Sequence, residues 1–552
     1  MPSLVLRHRV VDLHSRTIVP CEIRMQDGRI ESISPWNGPV DPGVLIPGFV
    51  DAHVHVESTM MPPSEFARAV VGHGTVGAVS DPHEIANVLG EPGIEFMLRD
   101  AARRNFHFHF GCPSCVPATP FETAGATLDS VAVARLLKDP RMGYLSEMMN
   151  WPGVLQGDAE VLAKISAAKA VGKPVDGHAP RLMGEQARRY VAAGITTDHE
   201  CVSLGEARHK AQCGMSILIR EGSAARNFEA LWPLLKERPE QCMFCTDDAH
   251  PDVLRVGHIN TLVARAVSKG IDVMDALRAA CMNPVLHYGL ACGLLRVGDS
   301  ADAALVEDLE SFKVIRTWIH GEVVANNGHA VWSHMPVEVV NQFRSDSFQA
   351  RDFIVRAPAS AASVVVRVID PVDGELVTGE RFESVPVRES AAEPVTGNHA
   401  DVAFLTVVNR YNTAPPAVAF IRGFGLQQGA IAASVAHDCH NVVAVAGNRK
   451  NLATAVNAIF ASRGGLAVCD GTQTHVLPLP IAGLMSDQPF QHIAQEYERL
   501  TSLAHRLGSP LRAPFMTLNF MALLVIPSLK LSDRGLFDGQ HFRFVQVVES
   551  AS

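Results

Sequence analysis

The sequence predicts an α/β protein built on a TIM-like (β/α)8 barrel, with a small flanking β domain and a C-terminal α/β domain. Three observations predict this fold. Between residues 47 and 290, short apolar runs alternate with helix-length stretches, which is the sequence form of repeated βα units. Polar residues collect where these runs end, and a parallel barrel gathers such ends at its C-terminal mouth. At 552 residues the chain is also longer than one hydrophobic core usually serves, so more than one domain is expected.

The barrel is assigned to residues 47–290. The stretches between its strands are amphipathic, as at residues 64–72 and 159–171, so they are predicted to be the surrounding helices. Eight βα units in roughly 250 residues are what such a barrel requires. The eight strands are predicted to begin near Pro47, Thr75, Phe106, Gly143, Lys173, Gly194, Gly214 and Gln241.

Two β segments flank the barrel. Residues 1–46 alternate in short runs with a turn at Asp27-Gly28, and a similar pattern returns at residues 301–324. We expect residues 1–46 and 291–335 to pack together as a small β-sandwich domain. Residues 336–552 are assigned to a C-terminal α/β domain, whose first part is mixed in character with a predicted strand at residues 363–369.

Composition narrows the class of function. The formal net charge of −10 is spread along the chain without a basic stripe, which argues against nucleic acid or an anionic membrane as partner and favours a small-molecule substrate. We find neither a signal peptide nor a membrane-spanning segment, so we expect a cytoplasmic protein. The 11 cysteines lie mostly in apolar segments, which predicts reduced, buried thiols.

The first predicted barrel strand carries the strongest chemical signal. Strand side chains alternate between two faces, so Asp51, His53, His55 and Glu57 are predicted to share one face of residues 47–58. Two imidazoles at this spacing stand about 7 Å apart along a strand, close enough to share one metal ion. The alternative is an edge strand with two solvated histidines.

Imidazoles and carboxylates at the predicted strand ends make six candidate metal ligands. This is more than one tetrahedral ion uses, whereas two divalent ions sharing a carboxylate would use them all. The mixed ligand set suits Mn, Fe or Zn, and two such ions about 3.5–4 Å apart lower the pKa of a shared water toward neutrality. The predicted reaction is therefore hydrolytic. The candidates are His53, His55, Glu147, His178, His199 and Asp247.

Three further polar residues follow the second predicted strand. Asp81, His83 and Glu84 are placed to move protons between nucleophile and leaving group. For Asp81 the alternative is a helix N-cap, with Pro82 at the first helical position.

A competing metal motif involves two cysteines. His55-Val56-Glu57 with Cys112-Pro113-Ser114-Cys115 imitates the signature of zinc nucleobase deaminases. Gly111 precedes the first cysteine where that motif has Pro, and His55 lies on a predicted strand instead of a helix. We therefore expect the cysteines to belong to the wall around the site.

A loop far along the chain is also predicted to reach the site. Residues 437–441, His-Asp-Cys-His-Asn, interrupt two apolar runs and so fall at a strand end, where α/β sheets present function. A barrel enzyme needs a lid that excludes water, and a neighbouring domain can supply it. The alternative is a tight turn whose side chains satisfy local backbone groups.

Longer strings resemble those of the amidohydrolase superfamily and, within it, the bacterial metal-dependent adenine deaminase family. The resemblance runs in order over nearly the whole chain, although residues 336–400 match loosely and Ser146 stands where the family pattern leads us to expect Gly. The matching strings occupy residues 47–57, 81–90, 147–150, 176–180, 198–201, 220–225, 247–248, 437–441, 479–487 and 514–518.

The resemblance implies conversion of adenine to hypoxanthine and ammonia, as in purine salvage, on two divalent ions per subunit. It implies that His53, His55 and Asp247 hold one ion, that His178 and His199 hold the other, and that Glu147 bridges them. A hydroxide would add to C6 of the purine while Asp247 takes its proton. Glu84, or Asp81 with His83, would supply protons to the ring nitrogen and the amino group. The substrate-binding residues would be Arg220, Glu221, Ser223, His437 and His440.

We also expect a homo-oligomer, a dimer. Two other classes stay open at this point. A related amidohydrolase acting on another nucleobase, a 6-substituted purine or a cyclic amide would share the barrel and the metals. A non-catalytic binding protein on the same fold is disfavoured because every candidate ligand position is filled.

Overall fold

The computed structural model describes residues 4–397 and 400–551. Its first four strands begin a small sheet, and the β2–β3 connection is the predicted turn, with Asp27 and Gly28 both in the left-handed region at φ +50° and +77°. Strands β1 to β3 pair antiparallel, and β4 pairs parallel to β1. These strands are β1 (Leu4–Asp12), β2 (Thr17–Gln26), β3 (Arg29–Pro35) and β4 (Val44–Ile46).

Eight parallel strands follow, and each begins within three residues of its predicted start. Apolar side chains such as Val50, Val76 and Ile217 are fully buried, which is why these runs read as short and continuously apolar. The barrel strands are β5 (Phe49–Val54), β6 (Thr75–Ser80), β7 (His107–Cys112), β8 (Met142–Met148), β9 (Val175–Gly177), β10 (Thr197–Asp198), β11 (Ser216–Arg220) and β12 (Cys242–Cys245).

Hydrogen bonds close these strands into a ring. Strands β5 to β9 pair in chain order, and so do β10 to β12. The Thr196 amide donates to the Val175 carbonyl at 2.9 Å and joins the two sets. At the seam, the Asp247 amide donates to the His53 carbonyl at 2.9 Å, and the His55 amide donates to the Asp247 carbonyl at 3.2 Å. The predicted barrel fold is confirmed.

Fourteen α-helices accompany the barrel strands in the described chain. Both stretches predicted from amphipathicity are helices, and the second is capped by Asp158, whose side chain accepts from the Val161 amide at 3.0 Å. The helices are α1 (Pro63–Val70), α2 (His83–Leu89), α3 (Glu91–Ala101), α4 (Ser130–Leu136), α5 (Trp151–Gln156), α6 (Ala159–Ala170), α7 (Gly184–Ala192), α8 (Leu204–Gln212), α9 (Phe228–Leu231), α10 (Leu234–Glu237), α11 (Pro251–Val256), α12 (Ile259–Ser268), α13 (Val273–Leu277) and α14 (Asn283–Tyr288).

The second β segment completes the small sheet. The completed sheet has eight strands in the order β16-β15-β14-β13-β4-β1-β2-β3, so both flanking segments form one sheet. The Ile30 amide bonds to the Asp299 carbonyl at 3.0 Å, which brings the β3 edge back to the loop before β13. Ile23, Leu45 and Trp318 are buried in the core of this unit. The added strands are β13 (Ala303–Val306), β14 (Val314–Ile319), β15 (Glu322–Asn326) and β16 (His329–Ala330).

The C-terminal part centres on a mixed sheet of eleven strands. The predicted strand at residues 363–369 is β17, which pairs parallel with β22 and antiparallel with β18 and β30. Helix α15 packs against β23, β24 and β25. The elements are β17 (Ser363–Pro371), β18 (Thr378–Arg388), β19 (Ala391–Ala392), β20 (Val395–Gly397), β21 (Ala400–Val408), β22 (Ala417–Arg422), β23 (Ala430–Ala433), β24 (Val442–Ala446), α15 (Arg449–Ser462), β25 (Gly465–Cys469), β26 (Thr474–Pro478), α16 (Phe490–Arg506), α17 (Pro514–Asn519), β27 (Leu529–Ser532), β28 (Gly535–Asp538), β29 (Arg543–Phe544) and β30 (Val548–Ala551).

Direct bonds fasten this C-terminal part to the barrel. The Ser486 amide donates to the Met60 carbonyl at 2.9 Å, and the Asn441 side chain donates to the Thr123 carbonyl at 2.9 Å. The β23–β24 connection, residues 434–441, is thereby held over the C-terminal mouth of the barrel. Within the described ranges, each helix is too short or too polar to span a bilayer.

Candidate active site

The six predicted metal ligands meet at the barrel mouth. His53 lies in β5 and Glu147 in β8, whereas the other four follow directly on, or two residues after, the ends of strands. All six are at most 6% exposed. The short barrel strands therefore deliver these side chains to one buried cluster, as the strand-end pattern predicts.

Glu147 is the centre of this cluster. Its Oε1 lies 3.2 Å from His55 Nε2, while its Oε2 lies 2.7 Å from His178 Nδ1 and 3.2 Å from His199 Nε2. The two oxygens of one carboxylate thus face different sets of imidazoles. Burial would raise the pKa of Glu147, but His178, His199 and His55 outweigh it and hold that pKa well below its usual range.

Asp247, which follows β12, shares His55 with Glu147 and also contacts His53. Its Oδ1 lies 3.1 Å from His55 Nε2 and 3.3 Å from His53 Nε2, and its Oδ2 accepts a bond from Arg220 Nη1 at 2.6 Å. Asp247 adopts the left-handed region at φ +56°, a conformation that costs energy for a non-glycine residue and often marks a functional site. Arg220 therefore orients this carboxylate.

The donor set fits divalent cations. Nitrogen and oxygen ligands about 2.1 Å from one ion lie roughly 3.0–3.5 Å from one another, which is the range of most of the spacings here. The Nε2 atoms of His53 and His178 are buried without a hydrogen-bond partner, and unpaired buried nitrogens of this kind are what a metal would satisfy. Groups with metal-ligand spacing include His53-His55-Asp247 and His53-Glu147-His199.

Neighbouring groups hold the ligands in place. The Ser114 hydroxyl donates to the Glu147 carbonyl, and the Asn227 side chain donates to the His199 carbonyl at 3.0 Å. His55 Nδ1 lies 3.1 Å from the Asp81 carbonyl, which directs its Nε2 toward the cluster. Such contacts fix the orientation of metal-binding side chains.

A second carboxylate cluster faces the first across the cavity. Glu84, at the start of α2, accepts a hydrogen bond from His437 Nδ1, and its Oε2 lies against His440 Nε2; both histidines belong to the β23–β24 connection. Burial would raise the pKa of Glu84, but His437, His440 and His83 hold it well below its usual range. Although burial opposes protonation of His437, Glu84 and Asp248 raise its pKa to about 9. The structure thus brings the distant loop against Glu84.

His83 lies between the two carboxylate clusters. Its Nδ1 is 2.9 Å from Asp81 Oδ2 and 3.6 Å from Glu147 Oε1, and its Nε2 is 3.6 Å from Glu84 Oε1. Asp81 Oδ1 also accepts from the His83 amide at 3.1 Å, at the first residue of α2. Asp81 therefore orients His83, whereas the N-cap alternative is wrong, because Pro82 is the N-cap and α2 begins at His83.

The cavity between these clusters has one apolar side. The C-terminal part contributes a roof over the barrel mouth, which we define as Leu376, Phe520 and Leu523, and the His437 ring stacks on Phe520 with centroids 5.0 Å apart. The cavity is lined by His55, His83, Glu84, Glu147, Met149, His178, His199, Glu200, Asp247, Asp248, Leu376, His437, Asp438, Phe520 and Leu523.

The string at residues 220–223 is only partly at the site. The Arg220 guanidinium is committed to Asp247 and to Glu200, whose Oε2 lies 3.2 Å from Nη2. Glu221 pairs with Arg265 at 2.8 Å. The Ser223 hydroxyl accepts from the His250 amide at 2.8 Å. In this arrangement Glu221 and Ser223 do not line the cavity. Arg220 contacts two carboxylates that do line it, those of Glu200 and Asp247.

The predicted strand at residues 47–58 is too long. Strand β5 ends at Val54, and Val56–Thr59 forms a 3₁₀ helix, so the alternation of faces stops before Glu57. Glu57 Oε1 instead accepts from the Ile85 amide at 3.1 Å. Asp51 accepts from the Thr246 amide at 3.1 Å and lies 3.0 Å from His258 Nε2. The prediction of four polar side chains on one strand face is therefore wrong at Glu57.

The two cysteines of the competing motif do not join the histidines. The Cys112 thiol contacts the Val133 carbonyl at 3.8 Å, and the Cys115 thiol contacts Met148 Sδ at 3.9 Å. Burial raises the pKa of Cys112 to about 12, which disfavours the thiolate that binds metal. Neither lines the cavity, so their expected place in its wall is wrong.

Three carboxylates of the cavity had no predicted role. Glu200 pairs with Arg220, Asp248 accepts from the Ser58 hydroxyl, and Asp438 Oδ1 lies 3.7 Å from His83 Nε2. Each directly follows a residue that the sequence analysis singled out. Their position next to a predicted site residue is therefore the sequence signal that could have identified them. The three roof residues carry no such signal, because isolated apolar side chains are ordinarily packing residues.

Comparisons with known proteins agree over nearly the whole chain. Residues 44–324 match the model of the amidohydrolase family, and residues 375–543 match that of the adenine deaminase C-terminal domain. The chain is 55% identical over 546 residues to an adenine deaminase of Salinibacter ruber, covering 98% of each chain. It is 50% identical over 541 residues to an adenine deaminase of a Sulfurovum species, covering 98% of this chain and 99% of the relative. An adenine deaminase of Methanosarcina barkeri is 47% identical over 543 residues, with 98% of each chain covered.

Proposed function

We propose, from the premise that this chain belongs to the adenine deaminases of the amidohydrolase family, that two divalent cations at its barrel mouth serve the hydrolysis of adenine to hypoxanthine and ammonia. Membership and activity follow from relatives that match at both ends of the chain and at high identity. The family is metal-dependent, and the buried cluster of imidazoles and carboxylates agrees with that. What we propose beyond this is the number of ions in each subunit and their identity.

The observation that carries the proposal is the position of Glu147 between two imidazole sets, one oxygen toward each. His53 and His55 with Asp247 would hold one ion, His178 and His199 would hold the other, and Glu147 would bridge. The mixed ligands favour Mn, Fe or Zn over Ca or Mg. When bound, such a pair supplies Lewis-acid charge and acidifies water enough for hydrolysis at pH 7.

We assign proton acceptance from the attacking water to Asp247. Arg220 fixes its Oδ2 at 2.6 Å, which leaves Oδ1 directed at the imidazole side of the cavity. A carboxylate held in one orientation is the arrangement that general base catalysis requires. Arg220 is thus a positioning residue in this proposal, which revises the substrate-binding role expected for it.

We assign proton delivery to the Glu84 cluster. Addition of water at C6 requires a proton at a ring nitrogen, and departure of ammonia requires one at the amino nitrogen. Glu84 lies against two imidazoles of the loop, and His83 lies between Glu84 and Glu147, so protons can pass along the cavity wall. His437 and His440 would hold Glu84 and would close this side of the site.

The roof supplies the surface for a flat heterocycle. Leu376, Phe520 and Leu523 face the charged barrel wall across the cavity. An aromatic base gains from apolar and stacking contacts on its faces while polar groups meet its edges. This division matches adenine better than a non-planar cyclic amide, and the comparisons do not favour another amidohydrolase substrate.

A homodimer in the cytoplasm remains part of the proposal. The cytoplasmic location is supported by the cysteines, since all 11 are free and ten of them are buried, as in a reducing compartment. Light scattering coupled to gel filtration measures the assembly directly. A monomer at working concentration would contradict the dimer and leave the catalytic proposal unaffected.

The test combines metal analysis with ammonia release. Purified protein should contain two equivalents of Mn, Fe or Zn and release ammonia from adenine, with much lower rates on other 6-substituted purines, other nucleobases and cyclic amides. A metal-replete protein that prefers another member of this panel would overturn the substrate. A protein inert toward all of them would support the non-catalytic alternative.

A further inference from the structure

A buried lysine stands directly behind the roof of the cavity. Lys530, in β27, is 0% exposed, and its Nζ donates to the Leu376 carbonyl at 2.6 Å and to the Phe520 carbonyl at 3.0 Å. Within residues 4–397 and 400–551, no carboxylate forms an ion pair with it. An ionisable amine is therefore fully buried and bonded to two backbone carbonyls.

Another buried lysine shows the usual arrangement. Lys210 is also 0% exposed, but its Nζ lies 2.9 Å from Asp198 Oδ2 and 2.8 Å from Glu206 Oε1, so its charge is neutralised. Lys530 lacks such compensation, and burial lowers its pKa to about 7. An apolar residue would avoid this cost, which suggests that the donors of Lys530 serve a purpose.

The two carbonyls that Lys530 binds belong to residues of the roof. Leu376 comes from the connection between β17 and β18, and Phe520 follows α17, so one ammonium joins two segments far apart in the chain. Leu376 also lines an outer pocket with Arg181 and Arg226, so it borders both that pocket and the inner cavity. Its position therefore affects the shape of the inner cavity.

We propose that Lys530 is a positioning residue that sets the height and orientation of the roof over the adenine ring. The inference rests on the proposed function, because it takes adenine as the occupant of the cavity. Without Lys530, two buried carbonyls lose their donor and the Leu376 and Phe520 segments are no longer joined. The contact surface for the base would loosen while the metal ligands on the barrel wall stay in place.

Three variants separate positioning from general stability. Lys530→Met removes the donors but keeps an unbranched apolar side chain, and Lys530→Arg restores donors. Lys173→Met is the matched control, because Lys173 also bonds two carbonyls, those of Leu137 at 2.6 Å and Asp139 at 3.0 Å, at a turn that does not line the cavity. KM and kcat for adenine, metal content and melting temperature are measured for each.

Lys530→Met should raise KM for adenine by about 10- to 100-fold, with a smaller fall in kcat and unchanged metal content, since a lost pair of buried bonds displaces the binding surface. Lys530→Arg should recover part of the loss. Lys173→Met should lower the melting temperature without changing KM. If Lys530→Met lowers only the melting temperature, as the control does, the inference is overturned.

If Lys530→Met does not fold, Leu376→Ala decides the question with Lys530 intact. A rise in KM supports the roof as the base-binding surface, and a KM within about twofold of wild type overturns it. Failure of the proposed function is a separate result, because it would appear as absent adenine turnover in the wild-type protein before any variant is made.

Discussion

Two buried carboxylates face the same cavity, and their imidazole partners come from different parts of the molecule. Glu147 is surrounded by His55, His178 and His199, all at ends of barrel strands. Glu84 is bonded by His437 and His440, which the C-terminal part contributes. The two clusters share a chemical composition and differ in how the fold builds them.

The difference indicates separate tasks. The Glu147 partners are fixed by the closed barrel, and Glu147 belongs to groups with metal-ligand spacing, such as His53-Glu147-His199. The Glu84 partners lie in a connection between strands of another sheet, which is held over the barrel mouth. We therefore interpret the first cluster as the metal site and the second as the proton-transfer site under a lid.

The largest expected effect is at the metal cluster. Glu147→Gln should remove most bound metal and reduce adenine turnover to the background of the assay, because a neutral amide bridges two cations poorly and their repulsion increases. Metal content by mass spectrometry and ammonia release are measured on the same sample. Full metal occupancy with normal turnover would show that Glu147 is a packing residue.

The next effect is at the second carboxylate. Glu84→Gln should keep two ions bound and lower kcat by about 10²–10⁴-fold, the usual contribution of a general acid or base. Glu122→Gln is the matched control, because burial raises the pKa of Glu122 to about 8 and a neutral carboxyl resembles an amide. If kcat hardly changes in Glu84→Gln while Asp81→Asn abolishes it, Asp81 with His83 is the proton donor.

A smaller effect is expected at the lid histidines. His437→Ala and His440→Ala, made singly, should each lower kcat by roughly 10–100-fold through the lost bond to a charged group, at unchanged metal content and melting temperature. His73→Ala serves as control, since His73 is a barrel histidine bonded to the Leu254 carbonyl at 2.8 Å outside the cavity. Loss of stability with normal specific activity would contradict the lid.

The smallest expected effect is on the pH dependence of stability, and it extends the comparison to buried lysines. Burial lowers the pKa of Lys530 to about 7 in the folded protein, below its unfolded value of 10.5, so between these pH values the unfolded state binds more protons. Wild-type stability should therefore rise with pH relative to Lys530→Met, by at most about 1.4 kcal/mol per pH unit. Urea unfolding at pH 7.5 and 9.5 measures the difference.

Lys210 provides the contrast for that measurement. Its carboxylate partners outweigh burial and raise its pKa, so it stays protonated in the folded state across this pH range. The free energy of unfolding of wild type relative to Lys210→Met should therefore vary little with pH. If it varied with pH as much as the value relative to Lys530→Met does, pairing with carboxylates would not be what separates the two lysines.

Much of the metal cluster was predictable, because the position of a side chain after a barrel strand is local information. His178 and His199 follow short strands bounded by turn residues, and the barrel closure places all such positions together. Glu57 was misplaced because β5 ends early and the chain turns into a 3₁₀ helix, which the alternating pattern does not reveal. Local patterns thus specify the barrel wall well, except where a strand stops.

The roof was less predictable because its contacts join distant segments. The loop at residues 437–441 could be assigned to a strand end, but its bond to Glu84 spans 353 positions. Leu376 and Lys530 have no distinguishing local pattern, and their bond spans 154 positions. Tertiary packing alone decides which apolar side chains line the cavity.

The most direct test of the two-cation site is stepwise metal restoration. Protein stripped by a chelator is titrated with Mn, Fe or Zn, and the initial rate of ammonia release from adenine is recorded against metal bound per subunit. We expect little activity up to one equivalent and a rise that levels off at two. Full activity in the stripped protein, or a plateau at one equivalent, would contradict the account.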